Sequence, residues 1–279
     1  MASERPAPSS LAIAFLVLLA ATTAHPATAE TPVGGTISTS TTWTLAGSPY
    51  LLNSHVWVHG EGRPVLTIEP GVVVKAGAGL SIRVGEGGPG GLQAIGTVEK
   101  PIVFTTAGAV VAGTWQGVFL GPQSGSSRLE QAVVEGAGRD WRAGILVSGS
   151  TPVLRGVTVR TSWHRGISVE AGSAAEVTGS AVLGTTGGDG TGIHVSGGAR
   201  LTLADTAIRG SANGAIAVQP GAQLDGLTGM ALADNGQDGV RHVGGVVAVN
   251  EAWRGFGYPY FLLNSHVWVH GEGRPVLTI

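Results

Sequence analysis

A pattern of alternating apolar and polar positions recurs through the middle of the chain. Between residues 125 and 243, five units of about 23 to 26 residues each carry three apolar anchors in the same order. Within the units, runs such as Gly-Ile-Ser-Val-Glu place apolar residues at every second position, which is typical of a half-buried strand. The anchors of the five units are, in order, Leu129, Val134 and Ile145; Leu154, Val159 and Ile167; Val177, Val182 and Ile193; Leu203, Ile208 and Ile216; Leu227, Leu232 and Val240.

This repeat predicts a solenoid. None of the five units contains an amphipathic helical stretch, and a unit this short cannot bury its apolar face without a neighbour. We therefore expect corresponding anchors to lie above one another in a stack of roughly nine or ten coils, each built from three short strands. The predicted fold class is all-β, a single-stranded parallel β-helix.

Four sequence elements before the repeats occur in a characteristic order. They are an LTI-EPG-VVV run from residue 66, an L-x-A-x-GT element from Leu92, a PIVFT strand from Pro101 and a GxW-x-G strand from Gly113. In this order they resemble the opening of right-handed parallel β-helix repeat proteins secreted by bacteria, which have the pectate-lyase-like architecture. The resemblance implies a right-handed solenoid and brings no catalytic residue with it. The same fold carries lyases, hydrolases, adhesins and inert stalks, so it predicts structure more firmly than function.

The chain divides into five regions. Residues 1–29 are predicted to be a cleaved signal peptide, because Arg5 precedes an apolar core at 11–21 and a small-x-small site ends at Ala29. Residues 30–49 lead into the first coil, 50–124 form the N-terminal coils, 125–244 form the five-repeat core, and 245–279 form the C-terminal coil. No later segment is continuously apolar over the length of a transmembrane helix. We expect a bacterial protein that is secreted or held at the cell surface.

The last 18 residues contain an exact duplication. Residues 262–279 repeat residues 51–68 without a difference. Two explanations are open: a duplicated opening of a second, truncated solenoid, or a closing coil. Truncation is favoured, because the identity extends to outward-facing residues that packing does not dictate. In either case the final coil is expected to expose an apolar strand edge that favours fraying or end-to-end association.

Composition excludes several classes of function. The chain has 279 residues, a formal net charge of −2, 12% charged residues and no cysteine. It lacks the basic stripe that nucleic-acid binding needs, and it cannot be stabilised by disulfides. No cofactor is expected. His55 and His59 are four residues apart, but on a strand this spacing separates them by roughly 13 Å, so they cannot share one metal ion.

The final strand of each repeat provides the candidates for catalysis. Two outward ladders are predicted, one through Leu146, Ser168, His194, Ala217 and Arg241 and one through Ser148, Glu170, Ser196 and Gln219. Neither contains the cluster of aspartates on which polysaccharide lyases and polygalacturonases of this fold depend. Glu170, His194 and Arg241 remain as weak catalytic candidates, and the competing interpretation makes Glu170 and His194 a solvated surface pair.

The loops before the final strands provide the candidates for binding. Trp141, Trp163 and Asp189 each stand four residues before an anchor, so the register predicts that they lie above one another. With Arg142, His164 and Arg165 beside them, the two indoles predict a glycan-binding platform, since aromatic faces stack on sugars and guanidinium groups donate planar hydrogen bonds. The competing interpretation is that both tryptophans only cover glycine-rich backbone at a corner.

A complete set of structural repeats without a convergent catalytic set favours a non-enzymatic protein. The sequence predicts a secreted structural or adhesive rod that binds a polysaccharide or a cell-surface glycan through loop aromatics. The alternative is a polysaccharide lyase or glycoside hydrolase on the same fold.

Overall fold

The chain folds as an all-β parallel solenoid of about nine turns with almost no helix. The computed structural model describes residues 29–140, 143–253 and 256–279. Nearly all of the predicted signal peptide lies outside the described residues. The predicted fold class is confirmed.

The coils before residue 125 contain nine strands and one short helix. A 3-10 helix, Leu45–Gly47, separates the second strand from the third. In chain order the strands are β1 (Thr31–Ile37), β2 (Thr41–Trp43), β3 (Tyr50–Val58), β4 (Val65–Ile68), β5 (Val73–Ala76), β6 (Ser81–Val84), β7 (Gly91–Ile95), β8 (Ile102–Thr106) and β9 (Gly117–Leu120).

The core repeats and the last coils contain sixteen more strands. In chain order they are β10 (Arg128–Glu130), β11 (Ala132–Glu135), β12 (Ala143–Val147), β13 (Val153–Arg155), β14 (Thr158–Val169), β15 (Ala174–Thr178), β16 (Ala181–Val195), β17 (Arg200–Ala204), β18 (Ala207–Arg209), β19 (Gly214–Val218), β20 (Gln223–Thr228), β21 (Ala231–Ala233), β22 (Val240–Val247), β23 (Glu251–Ala252), β24 (Tyr260–Val269) and β25 (Leu277–Thr278).

These strands form parallel ladders along the rod. One sheet of eight strands runs from β2 to β20, a second sheet contains fifteen strands, and β23 pairs with β25 in a small third sheet. The prediction of three short strands per coil needs one refinement. In the coils that contain β3, β14 and β16, one long strand spans the positions of the second and third strands.

The three predicted apolar columns are confirmed by the pairing register. Leu154 pairs with Val177, and Val177 pairs with Leu203. The second column runs through Val134, Val159, Val182, Ile208 and Leu232, and the third through Ile145, Ile167, Ile193, Ile216 and Val240. The first column departs only at its end, where Leu203 pairs with Gly226 and Leu227 lies in a bulge with its side chain still buried.

These columns make a core that is continuous along the rod. Nearly every anchor is buried, because each coil covers the apolar face of the coil below it. Full burial of one such side chain stabilises the fold by roughly 1.5–3 kcal/mol, so the stack gains stability coil by coil. Within the described ranges, no helix has the length and apolar character needed to cross a membrane.

The apolar edge expected at the C-terminal end is present. Leu262, Trp268, Val276 and Ile279 are all exposed, and Ile279 is 90% accessible. End-to-end association through this edge stays a prediction.

Candidate functional site

The outward ladder of the third strands forms with the predicted register. Ser168 pairs with His194, His194 with Ala217, and Ala217 with Arg241. Although this ladder faces away from the core, Ser168 is only 1% exposed and His194 only 3%. His194 is therefore buried, whereas the Glu170 side chain keeps 33% of its surface exposed. The two residues belong to one polar cluster, which Ser168 and Arg165 complete.

Arg165 is the centre of this cluster. Its Nε donates to Asp189 Oδ2 at 2.8 Å, and its Nη1 donates to Ser168 Oγ at 3.1 Å. The same Nη1 lies 3.4 Å from Glu170 Oε1. The guanidinium group thus joins two carboxylates that lie on successive coils and covers the ladder between them.

Both carboxylates of the cluster are held in the ionised form. Burial alone raises the pKa of Glu170, but hydrogen bonds from Ser196 and Ser168, with the charge of Arg165, lower that pKa below its ordinary value. Burial likewise raises the pKa of Asp189, and the hydrogen bond and charge of Arg165 reverse the effect. Neither group is a carboxylic acid at neutral pH.

The two histidines of the cluster are neutral at neutral pH. Burial, reinforced by the charge of Arg165, lowers the pKa of His194 to about 4. The same two causes lower the pKa of His164, whose Nδ1 accepts a hydrogen bond from the Asp189 backbone N–H at 2.8 Å. His164 holds this position in the left-handed backbone region, with φ of 75°.

A cleft of about 380 Å³ opens beside this cluster, and we call it the His194 cleft. Two of the three catalytic candidates of the sequence, His194 and Arg241, line this cleft. Glu170 does not line it and is bound to Ser168 and Ser196. The residues that line it are His164, Arg165, Gly188, Asp189, His194, Ala217, Gln219, Arg241 and Val243.

The ionisation states decide what this arrangement can do. Retaining and inverting glycosidases both need one carboxyl group with a raised pKa that protonates the leaving group. Here both carboxylates have lowered pKa values and all four of their oxygens accept hydrogen bonds. The cluster is suited to hold a fixed polar surface and lacks this proton donor.

A second depression, the Trp163 shelf, lies next to the cleft along β14. It has a volume of about 400 Å³ and is lined by Ala112, Gly113, Arg139, Asp140 and Trp163. The Trp163 side chain is 43% exposed. It packs directly against Gly113 and Gly187, since a Cβ on either glycine would contact it.

The predicted stacking of Trp163 over Asp189 is wrong. Trp163 pairs with Thr186, the register shifts after it, and Arg165 pairs with Thr191. The additional residues of the glycine-rich loop form a bulge, which places Asp189 against Arg165 and His164. Trp141 and Arg142 lie outside the described residues, while their neighbour Asp140 lies in the shelf.

Sequence reasoning missed the central role of Arg165. It treated this residue only as a neighbour of Trp163. Its position three residues before Ser168 and five before Glu170, next to the acidic loop residue Asp189 of the following repeat, was the available signal.

The histidines of the first copy of the duplicated segment lie in another part of the surface. Val56 and Val58 point inward as predicted, and the ring of Trp57 lies edge-on between His55 and His59. The Arg83 guanidinium lies 4.8 Å from the Trp57 ring centre and 5.1 Å from the Phe119 ring centre. This surface is a packed cation–π stack. In the part of the chain that the structure describes, no three metal-ligating side chains lie close enough to hold an ion.

Comparison with known proteins returns no relative. No protein-family model matches the chain, and neither a curated protein nor a solved structure matches it.

Proposed function

We propose that this protein is a secreted, non-enzymatic solenoid, a structural or adhesive rod that binds a glycan at the Trp163 shelf. One observation carries the proposal: a large aromatic side chain stays 43% exposed in an open depression, beside Arg139 and Asp140. Aromatic faces stack on sugar rings, and guanidinium and carboxylate groups beside them hydrogen-bond hydroxyls.

The packing of Trp163 supports this role. Gly113 and Gly187 leave room for the indole to lie against backbone, so its orientation is fixed before a ligand arrives. A fixed aromatic side chain loses little conformational entropy on binding, which favours affinity. An indole that served only to cover these glycines would not need the flanking charged pair.

A glycan-array screen of the mature protein tests the shelf. Trp163→Ala is expected to weaken binding of any glycan found by about tenfold or more, because the stacking surface is removed. Trp268→Ala is the matched control, since Trp268 is also exposed, at 58%, but lies in the last coil. The shelf is not the site if no glycan binds, or if both variants bind as the parent does.

Export and ancestry belong to the same proposal. The N-terminal segment resembles a signal peptide, and the opening coils resemble those of the pectate-lyase-like superfamily. N-terminal sequencing of protein recovered outside expressing bacteria should find a chain that begins near Glu30. Retention of residues 1–29 in a cell-bound protein would contradict export by cleavage.

Polysaccharide cleavage is the second candidate function. The specific observation in its favour is that His194 and Arg241 line one cleft, while Glu170 is bound to Ser168, the residue that pairs with His194. Release of reducing sugars or unsaturated uronates from a polysaccharide panel, abolished by Glu170→Gln, would support it. Absence of product across the panel would leave the binding function.

A further inference from the structure

Two arginines, Arg165 and Arg241, line the His194 cleft, and they differ in their ion pairs. Arg165 binds two carboxylates, but among the described residues no carboxylate lies within ion-pair distance of Arg241. Its Nη1 reaches only the hydroxyl of Thr191, at 3.3 Å, and its Nε is buried without a hydrogen-bond partner. A guanidinium group with an unused buried donor is costly, and such groups are normally satisfied.

The carboxylates of the cluster already have partners. Asp189 accepts from Arg165 and Thr191 with its two oxygens. Glu170 accepts from Ser168 with one oxygen and from Ser196 with the other. Every carboxylate oxygen of the cluster thus holds a hydrogen bond, whereas Arg241 Nε has none.

Arg241 lines the cleft and packs on small residues. Its side chain lies flat over Gly214, because a Cβ on that glycine would contact the Arg241 side chain. Ala217 and the neutral His194 form the adjoining surface. Rotation of the guanidinium toward the cleft would break one long hydrogen bond to a neutral hydroxyl and no ion pair.

From this arrangement we propose that the His194 cleft binds a carboxylate-bearing small ligand, with Arg241 as the residue that takes the carboxylate. The ligand carboxylate would accept the hydrogen bond that Arg241 Nε does not make within the protein. A guanidinium group and a carboxylate form strong charge-assisted hydrogen bonds. The cleft of about 380 Å³ has the size of a small-molecule site. This inference does not depend on glycan binding at the Trp163 shelf.

Titration calorimetry of the mature protein with a matched pair of probes tests the inference. Glucuronate and glucose differ only at C6, where glucuronate has a carboxylate and glucose has a hydroxymethyl group. Glucuronate is therefore expected to bind at least about tenfold more tightly. Acetate separates the two sources of the carboxylate. If acetate binds as well as glucuronate, the site recognises simple organic acids; if it binds more weakly, the sugar ring also contributes. Equal binding of glucuronate and glucose, or no binding of any carboxylate probe, would overturn the proposal.

Variants assign the binding to this residue. Arg241→Gln should reduce glucuronate affinity by about tenfold or more, and Arg241→Lys should lose less, because it keeps the charge without the planar fork. Arg200→Gln is the control, since Arg200 is paired with Asp225 in a different sheet. Unchanged affinity in a folded Arg241→Gln protein would refute the assignment.

Discussion

The same 18 residues occupy two places in this molecule, and their environments differ. In residues 51–68, Val58 and Leu66 are fully buried and Ile68 is 1% exposed. In residues 262–279, Val269 is 42% exposed and Ile279 is 90% exposed. Identical sequence thus gives a core coil in one place and an apolar surface in the other.

The two copies nevertheless fold in the same way. Ile37 pairs with Val58 below the first copy, and Val247 pairs with Val269 below the second. Even the register shift in the strand below recurs, between Val33 and Gly35 and again between Val243 and Gly245. The small sheet that contains β25 repeats the pairing of β2 with β4, since Thr41 pairs with Leu66 and Glu251 with Leu277.

The difference lies in what covers each copy from above. Strands β5 and β6 pair with β3, and β7 pairs with β4. In the described part of the chain, no strand pairs with the far side of β24 or β25. The comparison shows that local sequence specifies the shape and register of a coil, while the following coil decides whether its apolar residues are buried.

The largest expected effect comes from placing a charge in each copy. Val58→Asp should destabilise the fold by about 4 kcal/mol or more, because the carboxylate would be buried without a partner. Val269→Asp, the matched change at the equivalent position, should alter stability by about 0.5 kcal/mol or less. Urea unfolding measures both. Similar losses in the two variants would show that the second copy is covered.

Acid should distinguish the two copies through His242. This residue pairs with Leu262 at the start of the second copy. At the equivalent position of the first copy, Leu51 pairs with Pro32, which cannot titrate. Burial lowers the pKa of His242 to about 4, and its ring stacks on Trp253 at 3.8 Å and on Tyr260, with Glu251 lining the same pocket. The unfolded chain therefore takes up a proton on His242 at a higher pH than the folded chain does. The stability that neutral His242 gives the fold is complete above pH 6.5 and is lost as pH falls toward 4.

Hydrogen exchange followed by mass spectrometry can detect this local loss. Protection of Val243–Val247 should fall between pH 6.5 and 4, while that of Thr31–Ile37 should not. His242→Phe should keep the stacking and remove the pH dependence. A parallel loss of protection in both segments would assign the acid response to other groups.

The smallest effect concerns the tryptophan of each copy. Arg83 covers Trp57, whereas Trp268 is 58% exposed. Arg83→Ala should cost about 1 kcal/mol of stability and increase acrylamide quenching of tryptophan fluorescence. The increase should disappear in a Trp57→Phe background. An increase that persists there would show that Arg83 does not shield Trp57.

Much of the fold could be predicted from the sequence. The positions of Leu154, Val177 and Leu203 two dozen residues apart were enough, because a parallel ladder aligns equivalent positions of successive repeats. The outward ladder through Ser168, His194, Ala217 and Arg241 followed from the same alignment. For the candidate site, the sequence identified several of its residues but neither their burial nor their partners.

The sequence by itself determined which residues face the core, because the two-residue alternation and the constant order of anchors leave one register that buries all of them. Only the tertiary structure decided that Arg165 joins Glu170 and Asp189, and that Trp163 aligns with Thr186. The repeat pattern constrains inward positions alone. The bend of each loop and the partners of each outward side chain are set by contacts between turns, which no single repeat encodes.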